Sequence, residues 1–149
     1  MGECMKIDIY SSGDYETLLI RWMNQYGDDI LKTCYLLCGD LIEARQIARK
    51  VFIHAYDDMH EYLSKNTLPA FCFLLSISMK ICPCRLRPER IFWRCNTVSY
   101  FLFLPPLERR AAILCLYHNL NTVLASQILR IPEERIGQIL SSAKKHIRI

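Results

Sequence analysis

The chain has 149 residues, of which 52% are hydrophobic and 23% are charged. It is therefore long enough for one or two folded domains, and its composition excludes disorder over most of its length. The net charge of +4 is unevenly distributed: residues 1–65 contain seven Lys or Arg and eleven Asp or Glu, a net of −4, and residues 66–149 contain twelve and four, a net of +8. This division favours nucleic acid as a partner of the basic half and a protein surface as a partner of the acidic half, although solvated helix faces of uneven composition would also produce it.

Targeting and membrane-spanning segments are not evident in the sequence. Residues 1–12 contain acidic side chains and no apolar run. The longest apolar stretch, residues 68–81, is interrupted by two serines and a lysine and is shorter than the roughly 20 residues of a spanning helix. We therefore expect a cytoplasmic protein without membrane insertion, in which the eight cysteines remain reduced thiols.

Two helices are predicted at the N-terminal end, and each is followed by a glycine. The first, residues 14–26, carries an apolar stripe and is expected to stop at Gly27, because glycine is frequent just beyond helix ends. The second, residues 28–38, is expected to stop at Gly39 for the same reason.

The third predicted helix has the most regular pattern. Asp40 is its predicted N-cap, and Glu43 completes the spacing of a capping box. Apolar residues then repeat at helical intervals from Ala44 to Met59. The opposite face is polar and contains Arg45, Gln46, Arg49, Lys50, Asp57 and Asp58.

The fourth predicted helix spans residues 68–82. Thr67 is its expected cap, Pro69 is tolerated in its first turn and Pro83 ends it. Because the segment is apolar on most sides, neighbouring helices should cover it.

Residues 84–103 show no helical pattern, and basic and aromatic side chains dominate them. We interpret this stretch as an irregular linker between two domains, with its aromatic residues docked on a surface.

The C-terminal segment, residues 104–149, is predicted to end in a helix-turn-helix. After Leu104-Pro105-Pro106 a first helix runs to about Tyr117, and a short helix and the tight connection Arg130-Ile131-Pro132 follow. The final helix has an apolar stripe formed by Ile136, Ile139, Leu140, Ala143 and Ile147. Its other face bears Arg135, Gln138, Ser142, Lys145 and Arg148, which can reach phosphates or base edges. This arrangement suits the major groove of DNA.

The cysteines give a weaker signal. Cys34 and Cys38 lie on an apolar stripe and are expected to be buried as small hydrophobic residues. The spacing of Cys82, Cys84 and Cys95 resembles that of a metal or redox cluster. However, no fourth ligand lies at a usual zinc spacing, so a structural role is favoured. We therefore expect no metal or cofactor. The sequence contains no recognisable phosphate-binding loop or catalytic arrangement, so we do not expect an enzyme.

The order of these segments resembles the sigma-70 family of RNA polymerase sigma factors, in the short extracytoplasmic-function type. The resemblance covers about residues 16–149. It rests on YGDDILKTCYLLCGDLIEARQIARKVFIHAYDDM, on FLLSISMK and on LPPLERRAAILCLYHNLNTVLASQILRIPEERIGQILSSAKKHIRI. In the last of these, Leu129, Ile131 and Ile136 match the start of the family's recognition helix.

The resemblance implies an all-α fold of two small helical domains. A region 2-like domain would occupy residues 1–83, a linker residues 84–103 and a region 4-like helix-turn-helix domain residues 104–149. It also implies a protein that binds core RNA polymerase and directs promoter-specific transcription initiation, with an anti-sigma factor as a further candidate partner. Such a factor performs no covalent chemistry.

The resemblance also assigns site residues. Contact with polymerase would be made by Arg45, Gln46, Arg49 and Lys50. The melted promoter element would be read or held by Tyr62, Lys65, Asn66, Lys80, Arg85 and Arg87. The upstream duplex element would be bound by Arg135, Gln138, Ser142, Lys145 and Arg148.

The chain departs from the family on these faces. Where the family has an acidic residue facing the polymerase, Gln46 stands with cations on either side. The departure motivates an alternative: a sigma-derived regulatory protein that does not initiate transcription and binds a sigma or anti-sigma partner or DNA. A thiol or metal sensor that uses Cys82, Cys84 and Cys95 is a third hypothesis.

Overall fold

The computed structural model describes residues 12–65, 67–85 and 97–145. Within these ranges the regular structure is helical and contains no strand, so the predicted all-α class is confirmed. The helices are α1 (Ser12–Cys38), α2 (Leu41–Lys65), α3 (Ala70–Ile81), α4 (Thr97–Phe103), α5 (Pro106–Ala112), α6 (Thr122–Leu129) and α7 (Glu133–Lys145).

The predicted break at Gly27 is wrong, because α1 runs through this residue without interruption. Its buried side chains, from Trp22 through Ile30 to Leu37, lie on one side of the helix before and after the glycine. Packing of this continuous stripe outweighs the roughly 1 kcal/mol that a glycine costs inside a helix. Gly39 has a φ of 77°, a left-handed conformation that glycine adopts without strain, and α1 ends just before it as predicted.

The start of α2 follows the predicted capping pattern. Asp40 Oδ1 accepts hydrogen bonds from the backbone N–H groups of Ile42 (2.9 Å) and Glu43 (3.2 Å), which satisfies donors that a helix start leaves unpaired. The predicted apolar stripe from Ala44 to Met59 is buried. The side chain of Glu43 itself accepts a hydrogen bond from Arg85.

The predicted start of the fourth helix is wrong by two residues. Pro69 occupies the N-cap position of α3 in an extended conformation, with φ −58° and ψ 155°, and no side chain of the described residues caps the helix. Thr67 is therefore not the cap; a proline also keeps the residue before it out of the helical region. Buried residues lie on several sides of α3, as predicted, and Cys82 ends it in an extended conformation before Pro83.

The predicted irregular linker is wrong at its C-terminal end, where residues 97–103 form α4. Phe101 and Leu102 are buried, and the Tyr100 hydroxyl donates a hydrogen bond to the carbonyl of Ala143 (3.2 Å). Tertiary packing thus stabilises a helix too short to form alone. The aromatic and basic residues predicted between 86 and 96 lie outside the described residues.

The helix that begins at α5 changes its winding before it ends. Residues Ile113–Tyr117 form a π-helical turn, in which the carbonyl of Ile113 accepts from the N–H of His118 and that of Leu114 accepts from Leu120. π-Helical turns are rare in proteins, and those that occur are often located at functional sites. Here the turn places the imidazole of His118 against Thr33 of α1, with Nε2 and Oγ1 2.8 Å apart.

The segment predicted as a helix-turn-helix contains α6 and α7, which the short connection Arg130-Ile131-Pro132 joins. Asn121 caps α6 through a hydrogen bond from the Leu124 N–H to its side-chain oxygen (2.8 Å). Arg130 follows α6 with φ 58° and ψ 46°, and the carbonyl of Pro132 accepts the first hydrogen bonds of α7. The predicted stripe of α7 is buried over Ile136, Ile139, Leu140 and Ala143. Ile147 lies outside the described residues.

Buried side chains from both ends of the chain form one contiguous cluster. Within it α1 packs against α2, α3 and α4, and α3 packs against α6. The packing leaves the outer sides of α2 and α7 open, and these are the two faces that carry most of the predicted contact residues.

Candidate nucleic-acid and protein interfaces

The outer face of α7 presents three of the predicted DNA contacts to solvent. Arg135, Gln138 and Lys145 are exposed. Ser142 is half-buried, and its hydroxyl donates a hydrogen bond to Glu108 Oε2 of α5 (2.9 Å), so this side chain is already engaged within the protein. Arg148 lies outside the described residues.

The charges at the two ends of α7 follow its helix dipole. Glu133 and Glu134 lie in the first turn, and Lys144 and Lys145 lie in the last. Acidic groups near a helix N-terminus and basic groups near its C-terminus stabilise the helix. Glu133 also accepts a hydrogen bond from the Thr122 hydroxyl (2.7 Å), which ties the start of α7 to the start of α6. The glutamates thus have a structural role.

Tyr62, the predicted platform for an unpaired base, is packed inside an aromatic group. Its ring stacks on Phe73 with centroids 4.1 Å apart, and Trp22 meets it edge-on at 5.8 Å. Its hydroxyl donates a hydrogen bond to the carbonyl of Leu68 (2.5 Å), and burial raises the pKa of this phenol. One face of the ring is therefore occupied by the protein itself.

The cations predicted to contact the melted element do not converge. Lys65, at the end of α2, pairs with Glu61 (3.0 Å), and Arg85, beyond α3, pairs with Glu43 (2.8 Å). Lys80 is exposed in the last turn of α3, about 15 Å along the helix from its start. Asn66 and Arg87 lie outside the described residues.

The outer face of α2 gathers all four predicted polymerase contacts. Arg45, Gln46, Arg49 and Lys50 are exposed. Sequence reasoning missed two apolar residues on the same face, Ile42 and Ile53, which are 70% and 56% exposed. With Gln46 and Arg49 they follow the spacing i, i+4, i+7, i+11, one stripe of a helix. The helical spacing in the sequence could have identified them, because both isoleucines lie on the side of α2 opposite its buried stripe.

We call this row the α2 stripe; it comprises Ile42, Gln46, Arg49 and Ile53. Large apolar side chains exposed beside polar ones are typical of surfaces that bind another protein. The stripe therefore has the chemistry of a docking face.

Arg109 is a second residue that sequence reasoning missed. Its side chain is fully buried, and its guanidinium donates hydrogen bonds to four backbone carbonyls. Nε and Nη2 bond Leu104 (3.2 and 3.1 Å), Nη2 also bonds Leu102 (2.8 Å), and Nη1 bonds Arg85 (2.7 Å) and Leu37. Burial lowers the pKa of this guanidinium. Arg109 thus joins the end of α1, the segment after α3 and the end of α4.

The signal for Arg109 lies in its spacing. Ala112 and Ile113 follow it at i+3 and i+4, and both are buried, so the arginine is in phase with the buried side of α5. Leu102 and Leu104 lie seven and five residues before Arg109, whereas the contacts with Leu37 and Arg85 had no local signal because these residues are far away in the sequence.

Three described thiols, two in α1 and one just after α3, are enclosed. Cys34, Cys38 and Cys82 are buried, which confirms the prediction for the first two. Hydrogen bonding between neighbouring thiols and burial raise the pKa of Cys38 and of Cys82 far above the ordinary value, so both remain protonated and weakly reactive. Cys84 is half-buried, and burial raises the pKa of its thiol too.

No group of three or more His, Cys, Asp or Glu side chains in the described residues is arranged to hold a metal ion. Cys95 lies outside these residues. The sensor hypothesis, which involves Cys95 together with Cys82 and Cys84, therefore stays a hypothesis.

Across residues 12–65, 67–85 and 97–145, no helix combines the length and the apolar character needed to cross a bilayer. No protein-family model matches the chain, and no match is found among curated proteins. The function is therefore inferred from the exposed faces of α2 and α7.

Proposed function

We propose that the chain is a sigma factor of the extracytoplasmic-function type, which binds core RNA polymerase and directs promoter-specific transcription initiation in the cytoplasm. The observation that carries the proposal is the exposed Arg135–Gln138–Lys145 face of α7, backed by a buried apolar stripe, in a helix-turn-helix. In this proposal residues 1–83 and 104–149 act as the two functional domains.

The dimensions and chemistry of α7 suit duplex DNA. Its 13 residues correspond to a rod about 20 Å long, and a major groove admits one helix. Arg135 lies near the N-terminal end of α7, where recognition helices make base contacts. An arginine can donate two hydrogen bonds to a guanine edge, and Gln138 can pair with an adenine. Lys145 would contact a phosphate.

The α2 stripe supports the polymerase half of the proposal. Its exposed isoleucines supply apolar area, and Gln46 and Arg49 between them supply polar contacts. Interfaces commonly combine an apolar centre with polar surroundings, and arginine is enriched in them. Core RNA polymerase is the partner proposed for this surface.

Reconstitution with purified bacterial core polymerase tests both halves. The proposal expects the full chain to bind the core enzyme and to produce transcripts with defined start sites when genomic DNA is the template. Sequencing the transcript 5′ ends would then give the promoter elements. Failure to bind core polymerase would overturn the proposal.

A matched pair of variants makes the binding test specific. Ile53→Asp places a charge on the α2 stripe, and Ile20→Asp places the same charge on α1 at a residue of nearly equal exposure, 57% against 56%. The proposal expects Ile53→Asp to weaken core binding about tenfold or more and Ile20→Asp to leave it unchanged. Equal effects of both variants would contradict docking through α2.

A second candidate is a sigma-derived regulatory protein that does not initiate transcription. Gln46 favours it, because this side chain is neutral and stands beside the exposed cations Arg45 and Arg49. This candidate expects binding to a sigma or anti-sigma partner with no promoter-specific transcript. The reconstitution assay separates the two, since only an initiation factor yields defined start sites.

A further inference from the structure

A small groove lies where α3, α5 and α6 meet. Its volume is about 230 Å³, below the range of pockets that hold drug-sized ligands. Leu107, Ile128 and Ile131 contribute to its apolar walls, and Lys80, Arg110 and Arg130 bring three cations to it. Its lining by described residues includes no acidic side chain.

The cations of the groove form no ion pair with other described residues. Arg110 Nε is buried and has no hydrogen-bond partner among the described residues. The ion pairs of the described residues join Lys65 to Glu61 and Arg85 to Glu43, so none of the three groove cations is in one. A buried donor without an acceptor is unfavourable, and a bound ion or water is one explanation of such a group in a native protein.

Arg130, an exposed residue that lines the groove, has an unfavourable backbone conformation. It ends α6 in the left-handed conformation (φ 58°, ψ 46°), at a position where helices usually place glycine. An arginine there is strained, whereas a glycine would not be. Backbone strain of this kind is frequent at ligand sites.

We propose that the groove binds a small organic anion, with a phosphate or carboxylate group attached to a short apolar body. The anionic group would meet the charges of Lys80, Arg110 and Arg130, which line the groove. The apolar body would lie on the walls formed by Leu107, Ile128 and Ile131. Charge-assisted bonds of this type are stronger than neutral ones.

The site goes beyond the proposed function. A ligand there contacts α3 from the N-terminal half and α5, α6 and the Arg130 turn from the C-terminal half. Because it binds the folded arrangement only, it stabilises the packing of α3 on α6 and the turn that precedes α7.

Isothermal titration calorimetry of the full chain tests the proposal with four probes. Phenyl phosphate has both the charge and the apolar body, inorganic phosphate has only the charge, phenol has only the body, and hexanoate replaces phosphate by carboxylate. We expect phenyl phosphate and hexanoate to bind with about tenfold higher affinity than inorganic phosphate, and phenol not to bind. Equal binding of inorganic and phenyl phosphate, or no binding of either organic anion, would overturn the site.

Variants assign the binding to the groove. Arg110→Met is expected to weaken phenyl phosphate about tenfold or more, whereas Arg21→Met, at an exposed residue of α1 outside the groove, should leave it unchanged. Wild-type affinity in Arg110→Met would overturn the proposal.

Arg130→Gly gives an independent readout in which stability and affinity move in opposite directions. Glycine relieves the strain of the left-handed backbone, so the melting temperature should rise, while loss of the cation should weaken phenyl phosphate. A purely structural role for Arg130 predicts unchanged affinity and would contradict the proposal. A different outcome is that the organic anions do not bind the wild type and that the variants weaken only duplex DNA binding. The groove would then belong to a nucleic-acid surface, and the inference would be wrong.

Discussion

Polar side chains at the junction between the two halves of the chain differ from those on the outer faces of α2 and α7 in where their hydrogen-bonding groups are directed. At the junction, Arg109 and His118 direct their hydrogen bonds to other parts of the same chain. On the outer faces, Gln46, Arg49 and Arg135 are exposed. Polar groups enclosed by a protein need internal partners, whereas exposed ones remain available to a second molecule. The difference separates residues that hold the fold from those proposed to bind.

The largest expected effect comes from removing the guanidinium at the junction. Arg109→Met deletes the side-chain donors to the carbonyls of Leu37, Arg85, Leu102 and Leu104, of which Leu37 keeps a hydrogen bond from the Arg85 N–H (3.2 Å). We expect the free energy of unfolding, measured by urea denaturation, to fall by about 3 kcal/mol or more.

The neighbouring arginine is the matched control for this prediction. Arg110→Met makes the same replacement one residue along α5, where Nε has no partner to lose, and should change the unfolding free energy by less than about 1 kcal/mol. Equal losses in the two variants would contradict the role assigned to Arg109.

Substitution of Arg135, on the outer face of α7, should change DNA binding without changing stability. Arg135→Ala is expected to weaken binding to a promoter duplex by about 1–3 kcal/mol and to relax its sequence preference. The thermal midpoint should stay close to that of the wild type, because the side chain is exposed. Fluorescence anisotropy with a promoter duplex and a scrambled duplex measures the effect.

Lys145→Ala distinguishes a phosphate contact from a base contact. It should weaken both duplexes alike and reduce the slope of log affinity against log salt concentration by about 1. A loss confined to the promoter duplex would assign Lys145 to base recognition instead.

The His118 contact makes the junction sensitive to pH. The Thr33 hydroxyl donates to the carbonyl of Asp29 (2.7 Å), so it accepts from His118, and Nε2 carries the proton in the neutral ring. Burial lowers the pKa of His118 below its ordinary value of 6.5, and the charge of Asp29 opposes the shift.

Because the folded pKa of His118 is lowered, the unfolded chain binds the proton more readily below about pH 6.5. Stability is therefore complete above that pH and falls as pH decreases towards the folded pKa, by at most about 1.4 kcal/mol per pH unit. Urea denaturation between pH 5 and 8 measures the slope. His118→Gln should remove this contribution, and an unchanged slope in that variant would contradict it.

Local signals account for what the sequence predicted well. The Asp40 cap and the buried stripe of α7 are each set by residues within a few turns, and both were confirmed. The break at Gly27 was wrong because packing along the whole of α1 outweighs a local preference. The packing of Tyr62 could not be predicted from local sequence either, since its stacking partner Phe73 belongs to another helix.

The candidate contact residues divide in the same manner. Periodicity was sufficient to find the exposed faces of α2 and α7, because exposure alternates regularly along a helix. The ion pair between Arg85 and Glu43 joins residues that are far apart in sequence, and only the fold brings them together.

The smallest expected effect concerns two glycines inside helices. A Cβ added at Gly27 of α1 or at Gly137 of α7 would meet nothing within 4 Å. Alanine should therefore stabilise either helix by about 1 kcal/mol and raise the melting temperature by about 2–4 °C. Differential scanning calorimetry measures both.

Only one of the two glycines lies on a proposed binding face. Gly137 is exposed between Arg135 and Gln138, where a glycine permits close approach of a partner's backbone. We expect Gly137→Ala to weaken promoter binding and Gly27→Ala to leave it unchanged. Because both substitutions have the same effect on the helix itself, any difference in DNA affinity reports contact with DNA. Equal affinities would show that the duplex does not approach α7 at this position, even if Arg135 binds it.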